Sequence, residues 1–408
     1  MKYSIFWCSF LFVLIACKQS KPEIQLNQGV WLAELTTLDD QQLPFNFKLY
    51  TTPEGEYMLD IFNAQEVITV DEITTFNDSI IIKAPGLNGR IVGTFTPNSI
   101  TGRFMIETMD RNIPFSAVFD TPERFRDNES PELNISGIWE TEFSPKTEDR
   151  YMGKGIFTQK EGKVSGTFRT PTGDYRFLEG VLDKDSLKLS AFDGAHVFLF
   201  LAKATDSSLT GMFYSGNHFK EPFTAVRNEA FELPSPDSLT FIKEGYDKFD
   251  FSFPDTNGNK VSLSDKRFKN KVVIVQLMGT WCPNCLDETR FLVEHIKKNN
   301  QNNLQVVGLA FEYAKTEEAA IHGIERLVDR VGINYPVLLA QYGTSDKEQA
   351  QQKLPMLNHV LSYPTTIFID KTGEVRRIHT GFNGPATGAT YIAFKAEFSD
   401  FVAKLLQE

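Results

Sequence analysis

The chain has 408 residues, a formal net charge of −11, and 41% hydrophobic and 23% charged residues. A chain of this length and ordinary globular composition is expected to form two or three domains, each with a core of its own. The acidic balance is not interrupted by any basic cluster, which argues against a nucleic acid as a partner.

Residues 1–17 have the features of a targeting segment. Lys2 supplies a positive charge, and the apolar run that follows is too short to span a bilayer. Leu14-Ile-Ala-Cys17 resembles a bacterial lipobox, which predicts cleavage before Cys17 and a lipid anchor on this residue. The alternative is an ordinary secretory signal in which Cys17 is incidental. Lys18, which stands where an Asp would signal retention, favours the outer over the inner membrane of the cell envelope.

The chain contains four cysteines: Cys8, Cys17, Cys282 and Cys285. Cys8 would leave with the signal segment, and lipidation would cap Cys17. The mature protein would then have no structural disulfide framework, although an extracytoplasmic compartment permits one. Cys282 and Cys285 would be its whole redox capacity.

Two consecutive segments, residues 28–126 and 132–231, show short runs of alternating apolar residues broken by turn signals, which is typical of β structure. Several motifs recur between the segments at a nearly constant spacing, which predicts a tandem repeat. Each copy is expected to hold six to eight short strands, enough for a small antiparallel barrel or sandwich. Recurring pairs are Gly29-Val-Trp31 with Gly137-Ile-Trp139, and Ser99-Ile-Thr-Gly-Arg-Phe104 with Ser208-Leu-Thr-Gly-Met-Phe213.

The function of these repeats is left open by the sequence. They could form a docking or ligand-binding module, since small barrels can hold one ligand. They could equally form a spacer that raises the C-terminal part above a membrane. His196 and His218 are isolated in the sequence, and no polar cluster in either copy suggests catalysis. A spacer or docking role is therefore favoured over a small-molecule site.

A strand-turn-helix stretch contains the candidate catalytic cysteines. Lys271 to Leu277 is a nearly all-apolar run rich in β-branched residues, which predicts a strand buried on both faces of a sheet. Cys282-Pro-Asn-Cys285 then begins a helical pattern, in which Pro283 suits the first turn. Cys282 is therefore expected at a helix N-terminus, where unpaired N–H groups and the helix dipole stabilise a thiolate.

A C-x-x-C pair is also half of a zinc site, but the sequence has no second cysteine pair to complete one. Trp281 before the first cysteine, the buried strand upstream and Tyr363-Pro364-Thr365 downstream favour a redox role. With these features the stretch resembles the active site of the thioredoxin superfamily, and in particular the TlpA/ResA-type extracytoplasmic thiol–disulfide oxidoreductases.

The resemblance covers Asp247 to Glu408 and implies a thioredoxin fold for that part. The whole chain is then expected to be multidomain, with tandem all-β repeats, barrel-like or sandwich-like, followed by a C-terminal α/β thioredoxin fold. The expected organisation is a signal peptide (1–17), a tether (18–27), two β-repeat domains (28–126 and 132–231), a linker (232–247) and a thioredoxin-like domain (248–408).

The resemblance also implies roles for individual residues. Cys282 would attack a partner disulfide, and the more buried Cys285 would resolve the mixed disulfide. Glu288 completes a C-x-x-C-x-x-E pattern and lies on the same helix face as Cys285, so it is expected to handle a proton. The alternative for Glu288 is an ordinary surface glutamate.

Two positions depart from the family pattern. Gln276 stands where thioredoxin has a buried aspartate, and since a glutamine cannot act as a base, Glu288 would act largely alone. Arg290 replaces a helix-kinking proline, so the helix is expected to be straighter and a positive charge to lie near the site.

The loop facing the disulfide is expected to contain a cis peptide bond before Pro364, with neighbouring backbone that pairs with the substrate. Glu312, at the end of the next strand, is a further candidate because sites gather at the carboxyl ends of strands in α/β folds. No metal is expected, and no cofactor besides the cysteine pair. The expected substrate-binding residues are Trp281, Pro283, Asn284, Tyr363 and Thr365.

The resemblance implies a lipid-anchored, periplasm-facing enzyme that reduces protein disulfides and is recharged by a membrane thiol donor. A disulfide oxidase or isomerase remains open, because the dipeptide between the cysteines does not decide the direction. A lipoprotein that binds a ligand or partner through its β-repeats, with redox activity secondary, is another alternative. A third is a peroxidase-like activity of Cys282.

Overall fold

The computed structural model describes residues 25–125, 129–299, 302–344 and 346–408. The expected signal segment and Cys17 lie outside these residues. Within them, no helix is both long enough and apolar enough to cross a membrane.

The first β-sheet is antiparallel and contains nine strands in the order β4-β3-β2-β1-β9-β8-β7-β6-β5, so its first and last strands are neighbours. The expectation of six to eight strands is too low for this copy. The strands are β1 (Gly29–Thr36), β2 (Gln42–Thr51), β3 (Tyr57–Asn63), β4 (Glu66–Val70), β5 (Glu72–Phe76), β6 (Ser79–Lys83), β7 (Arg90–Thr96), β8 (Ser99–Ile106) and β9 (Arg111–Phe119).

The second sheet also has nine strands, in the order β11-β10-β18-β17-β16-β15-β14-β12-β13, and an extra pairing of β11 with β12 closes it into a barrel-like ring. The strand number was again underestimated. The strands are β10 (Gly137–Phe143), β11 (Tyr151–Lys160), β12 (Lys163–Thr170), β13 (Gly173–Asp174), β14 (Leu178–Asp183), β15 (Ser186–Phe192), β16 (Val197–Ala204), β17 (Ser208–Ser215) and β18 (Phe219–Arg227).

The recurring G-x-W motif plays the same structural role in both sheets. Trp31 and Trp139 are fully buried, and each indole N–H donates to a carbonyl four residues upstream, that of Asn27 (3.0 Å) and that of Ile135 (2.8 Å). Each motif thus ties the chain entering a sheet to the core of that sheet.

Aromatic rings fill the interior of both sheets. Phe45 and Phe104 pack against Phe192 in the first core, and the cavity there has a volume of only about 20 Å³, enough for about one water molecule. Phe143 and Phe168 meet edge to face in the second core. A ligand held inside either barrel would have to displace these rings.

The C-terminal part has a five-stranded mixed sheet in the order β23-β22-β21-β24-β25, with every residue of the central strand β21 buried. This is the expected thioredoxin-like arrangement, preceded by a short hairpin, and the expected fold class is confirmed. The elements are β19 (Ser252–Pro254), β20 (Lys260–Ser262), β21 (Val272–Met278), α1 (Pro283–Asn299), β22 (Leu304–Phe311), α2 (Glu317–Val331), β23 (Val337–Gln341), α3 (Lys347–Lys353), β24 (Thr365–Ile369), β25 (Val375–Thr380) and α4 (Ala389–Gln407).

The first sheet packs against the C-terminal part instead of standing apart from it. Ala84 and Leu87 join the hydrophobic core that surrounds β21. On α2, the guanidinium of Arg326 donates two hydrogen bonds to Glu72, at 2.9 and 2.7 Å. A spacer that only raised the C-terminal part above a membrane would need none of these contacts.

Candidate active site

The two cysteines lie where β21 gives way to α1. The carbonyl of Cys282 accepts the first helical hydrogen bond from the Leu286 N–H (3.0 Å), so Cys282 caps the helix N-terminus. Cys282 and Cys285 form a disulfide, and the Cys285 N–H donates to Cys282 Sγ at 3.1 Å. Cys285 is fully buried, whereas Cys282 is 6% exposed. Only Cys282 can therefore be reached from outside.

Glu288 lies one helical turn beyond Cys285 and is buried, so the interpretation as a surface glutamate is wrong. Gln276 Nε2 donates to Glu288 Oε2 at 2.8 Å, and Thr366 Oγ1 donates to Oε1 at 2.7 Å. Burial raises the pKa of Glu288, and these two hydrogen bonds oppose that rise only in part. A carboxylate with a raised pKa is a suitable proton acceptor near neutral pH.

Gln276 connects Glu288 to the cysteine pair. Its side-chain amide also donates to the carbonyl of Cys285 at 3.3 Å, and its own Oε1 accepts from Thr289 Oγ1 at 3.1 Å. Although a glutamine cannot act as a base, it fixes the position of the carboxylate that can. Gln276 thus holds Glu288 in place, and the expectation that Glu288 is the base stays a prediction.

The peptide bond between Tyr363 and Pro364 is cis, as the sequence led us to expect. The carbonyl oxygen of Tyr363 lies 3.5 Å from Cys282 Sγ. The ring of Trp281 meets Tyr363 edge to face, with centroids 5.9 Å apart, and its indole N–H donates to the Phe311 carbonyl at 2.9 Å. These contacts hold the two aromatic rings beside Cys282.

Glu312 is buried behind the loop that leads to Cys282. Its two carboxylate oxygens accept from the Thr280 N–H (2.8 Å) and the Thr280 hydroxyl (2.6 Å). Burial raises the pKa of Glu312 to about 7, although both hydrogen bonds act in the opposite direction. Glu312 thus positions the loop and does not itself line the space in front of Cys282.

Cys282 faces a cleft of about 640 Å³ between the second β-sheet and the C-terminal thioredoxin-like domain. This C-terminal domain is called the redox domain below. Among the five expected substrate-binding residues, Trp281, Asn284 and Tyr363 line this cleft, whereas Pro283 and Thr365 are buried outside its lining. The opposite wall was not foreseen. It includes Pro171, Thr172, Tyr175, His196 and Phe198, which belong to the second sheet and its connecting loops.

His196 is not isolated, contrary to the sequence-based interpretation. Its Nδ1 lies 3.0 Å from Asp193 Oδ2, and its ring stacks on Phe198 with centroids 4.3 Å apart. Burial acts to raise the pKa of Asp193, but the contacts with His196 prevail and bring it down to about 2. The ionised Asp193 therefore orients the imidazole at the edge of the cleft.

A buried arginine joins the second sheet to α1 and to the first sheet. The guanidinium of Arg176 forms ion pairs with Glu66 (2.6 Å), Asp193 (3.3 Å) and Asp287, two residues after Cys285 on α1. The backbone N–H of Arg176 donates to Asp174 at 2.8 Å. Arg176 thus pairs with carboxylates from the first sheet, the second sheet and helix α1.

Arg290 does not bring its charge into the cleft. It lies 3.8 Å from Asp287, is largely exposed, and borders a separate groove next to Val67 and Arg330. Among the residues that the structure describes, no lysine or arginine lines the cleft in front of Cys282. Nor do the described residues contain any group of three or more His, Cys, Asp or Glu side chains placed to hold a metal ion.

A redox-active cysteine pair at the N-terminus of the first helix of a thioredoxin fold defines a thiol–disulfide oxidoreductase. Comparison with known proteins agrees with this class. A model of the AhpC/TSA family matches residues 245–378. The thioredoxin-like protein YneN of Bacillus subtilis is 30% identical over 140 residues, which cover 34% of this chain and 73% of YneN.

The thiol–disulfide oxidoreductase ResA of Bacillus subtilis is also 30% identical over 140 residues, which cover 34% of this chain and 69% of ResA. A solved thiol:disulfide interchange protein of the thioredoxin family from Chlorobium tepidum is 22% identical, with a TM-score of 0.30, over 43% of this chain and 99% of that one. Through its C-terminal domain, the chain belongs to the ResA-type family of thioredoxin-like thiol–disulfide oxidoreductases.

Proposed function

We propose that this chain is an extracytoplasmic reductase of protein disulfides. The observation that supports the proposal most directly is the different environment of the two cysteines. Cys282 faces an open cleft at a helix N-terminus, and Cys285 is buried next to the Gln276–Glu288 pair. This difference supports a role for Cys282 in meeting the substrate and a role for Cys285 in completing the reaction inside the protein.

The reaction begins from the reduced pair. The Cys282 thiolate attacks one sulfur of a substrate disulfide, a bond from Cys282 Sγ to that sulfur forms, and the substrate S–S bond breaks. The second substrate sulfur leaves as a thiolate and takes up a proton from solvent. The product of this step is a mixed disulfide between Cys282 and the substrate.

Cys285 then resolves the mixed disulfide. Glu288 accepts the Cys285 proton, and the new thiolate attacks Cys282 Sγ and breaks its bond to the substrate sulfur. That sulfur leaves as a thiolate and takes up a proton from Glu288 or solvent, which completes the substrate dithiol. Two electrons have passed from the cysteine pair to the substrate, and the pair ends as the disulfide seen in the structure. A dithiol donor, for which we propose a membrane protein, must then reduce the pair again.

The electrostatics of the cleft favour reduction over oxidation as the direction. Strongly oxidising disulfides owe their potential to a well-stabilised reduced form. The helix N-terminus stabilises the Cys282 thiolate, but within the described part of the chain no lysine or arginine lines the cleft to add to it. The reduced form therefore gains less stability than it would beside a cation, and the pair remains a good electron donor.

For the location, we propose the cell envelope, with a lipid on Cys17 as the anchor and the outer membrane as the more favoured site. The support is the apolar run followed by Leu14-Ile-Ala-Cys17. Metabolic labelling with a radioactive fatty acid tests this part separately. The label should appear on the wild-type chain and be lost in Cys17→Ser, and an unlabelled wild-type chain would contradict the anchor.

The reductase proposal is tested with the full chain and a model protein disulfide, with a dithiol supplied in excess. The wild type should turn over, and Cys282→Ser should be inactive. Cys285→Ser should stop after one attack and accumulate a mixed disulfide that a non-reducing gel resolves. Full activity of Cys282→Ser would contradict the assignment of the nucleophile.

A further inference from the structure

We propose that the second β-sheet forms the specificity wall of the redox site, and that this wall takes a large apolar side chain next to the substrate cysteine. By specificity wall we mean Pro171, Thr172, Tyr175, His196 and Phe198. The inference rests on the proposed function, because Cys282 can form its covalent intermediate only with an occupant that carries a disulfide sulfur.

The wall is fixed in place by contacts on both sides of the disulfide. Asn284, between the two cysteines, donates from Nδ2 to the Asp174 carbonyl at 3.2 Å. On the loop before Pro364, the Ser362 hydroxyl donates to the Thr172 carbonyl at 2.9 Å. The backbone N–H of Gly384 donates to Asp174 Oδ2 at 2.5 Å.

Two glycines permit this close approach of separate backbones. A Cβ atom on Gly381 would lie 2.7 Å from the carbonyl carbon of Thr172, and one on Gly173 would lie 2.5 Å from Asn284 Nδ2. Both glycines also have positive φ angles, 76° and 141°, which other residues rarely adopt. The local backbone is therefore suited to holding the turn at residues 171–172 directly beside the active-site loop.

The chemistry of the cleft identifies the kind of occupant. Its surface is mainly aromatic and aliphatic: Phe198 and Tyr175 on the wall are opposed by Trp281 and Leu361 of the redox domain. A volume of about 640 Å³ falls in the range of sites that enclose a small ligand or a few side chains, not a broad protein face. The fitting occupant is a short, flexible polypeptide segment with an apolar side chain beside its cysteine.

The charge of the cleft disfavours small anionic disulfides. In the part of the chain that the structure describes, the carboxylate on the lining is that of Asp174, and no lysine or arginine accompanies it there. Glutathione disulfide would lose hydration of its carboxylates in the cleft without gaining a lysine or arginine as a partner. The wall therefore selects a neutral apolar segment over this small molecule.

The test uses two neutral peptide disulfides that differ only in the residue next to the cysteine, Phe or Gly, together with glutathione disulfide. The full chain should reduce the Phe peptide with a kcat/KM about tenfold or more above that of the Gly peptide, as expected when one large apolar side chain is buried. Phe198→Ala should reduce this preference to about threefold or less, because the Phe peptide loses more from the substitution than the Gly peptide does. Phe76→Ala, at a phenylalanine of the first sheet that is 76% exposed, is the matched control and should keep the wild-type preference.

Because Phe198 also packs in the second core, Pro171→Arg is included as a variant at a half-exposed turn position. This variant should raise kcat/KM for glutathione disulfide about tenfold by supplying the missing cation. Equal rates for the Phe and Gly peptides would overturn the specificity wall and leave the reductase in place, and so would equal losses for both peptides in Phe198→Ala with no gain in Pro171→Arg. Failure to reduce any of the three disulfides would overturn both proposals.

Discussion

The side-chain amide of Gln276 donates one hydrogen bond to Glu288, at 2.8 Å, and a second to the carbonyl of Cys285, at 3.3 Å. This bridge connects a buried carboxylate to the backbone of Cys285. It also keeps the charged form of Glu288 accessible, because a hydrogen bond to a carboxylate lowers the pKa that burial has raised.

Glu288→Gln should slow the resolution of the mixed disulfide by Cys285, by about 10²-fold or more, the range measured for positioned acid–base groups. In the wild type the rate should rise with pH as Glu288 loses its proton, and the variant should lack this rise. Stopped-flow measurement of thiol release across pH 5 to 9 checks both points. Glu294→Gln, an exposed residue of α1, is the control. A pH profile unchanged in Glu288→Gln would contradict the role in proton transfer.

Glu312 should make stability depend on pH. Burial raises its pKa from the ordinary 4.5 to about 7, so the protonated form is favoured in the folded protein. The stabilising contribution is full below pH 4.5 and is lost as pH rises through 7, in total about 3 kcal/mol. Glu312→Gln should therefore flatten the decline of the urea midpoint between pH 4.5 and pH 8.

The comparison for this experiment is Glu325→Gln, an exposed position on α2. It should retain the wild-type decline of the urea midpoint, because Glu312 is intact in this variant. Parallel curves for Glu312→Gln and Glu325→Gln would show that the Thr280–Glu312 contact does not carry the pH dependence.

Arg176 should be required for the packing of the two β-sheets against each other and against helix α1. Arg176→Met leaves the carboxylates of Glu66, Asp193 and Asp287 buried without their cation, a change that costs about 3–5 kcal/mol for buried pairs. We expect a clear fall in thermal stability and faster limited proteolysis. Arg150→Met breaks an exposed pair with Glu142 and should cost less than about 1 kcal/mol. Equal effects of the two substitutions would contradict the joining role of Arg176.

The side of the cleft that carries the cysteine pair could be predicted from the sequence, because the motifs that define it are short and local. Strand β21 is buried along its whole length and α1 begins directly after Cys282, as the sequence predicts. The cis bond before Pro364 also follows from a short motif. Each of these features depends on a few adjacent residues whose conformational preferences agree.

The wall of the cleft could not be predicted, because it depends on how separate sheets dock. His196 and Asp193 are three residues apart and carry no catalytic motif, and the approach of Thr172 to Gly381 joins residues that are distant in the sequence. The strand count was underestimated for a related reason. Short strands such as β13 are defined by their pairing partner and not by an apolar pattern of their own.

The reduction potential of the Cys282–Cys285 pair tests the central claim most directly. It is measured by equilibrating the full chain with thiol buffers of known potential and quantifying the free cysteines. A reductase with no lysine or arginine on the described lining of its cleft should have a potential near that of thioredoxin, about −270 mV. A value near −120 mV, as for a strong oxidant, would contradict the reductase.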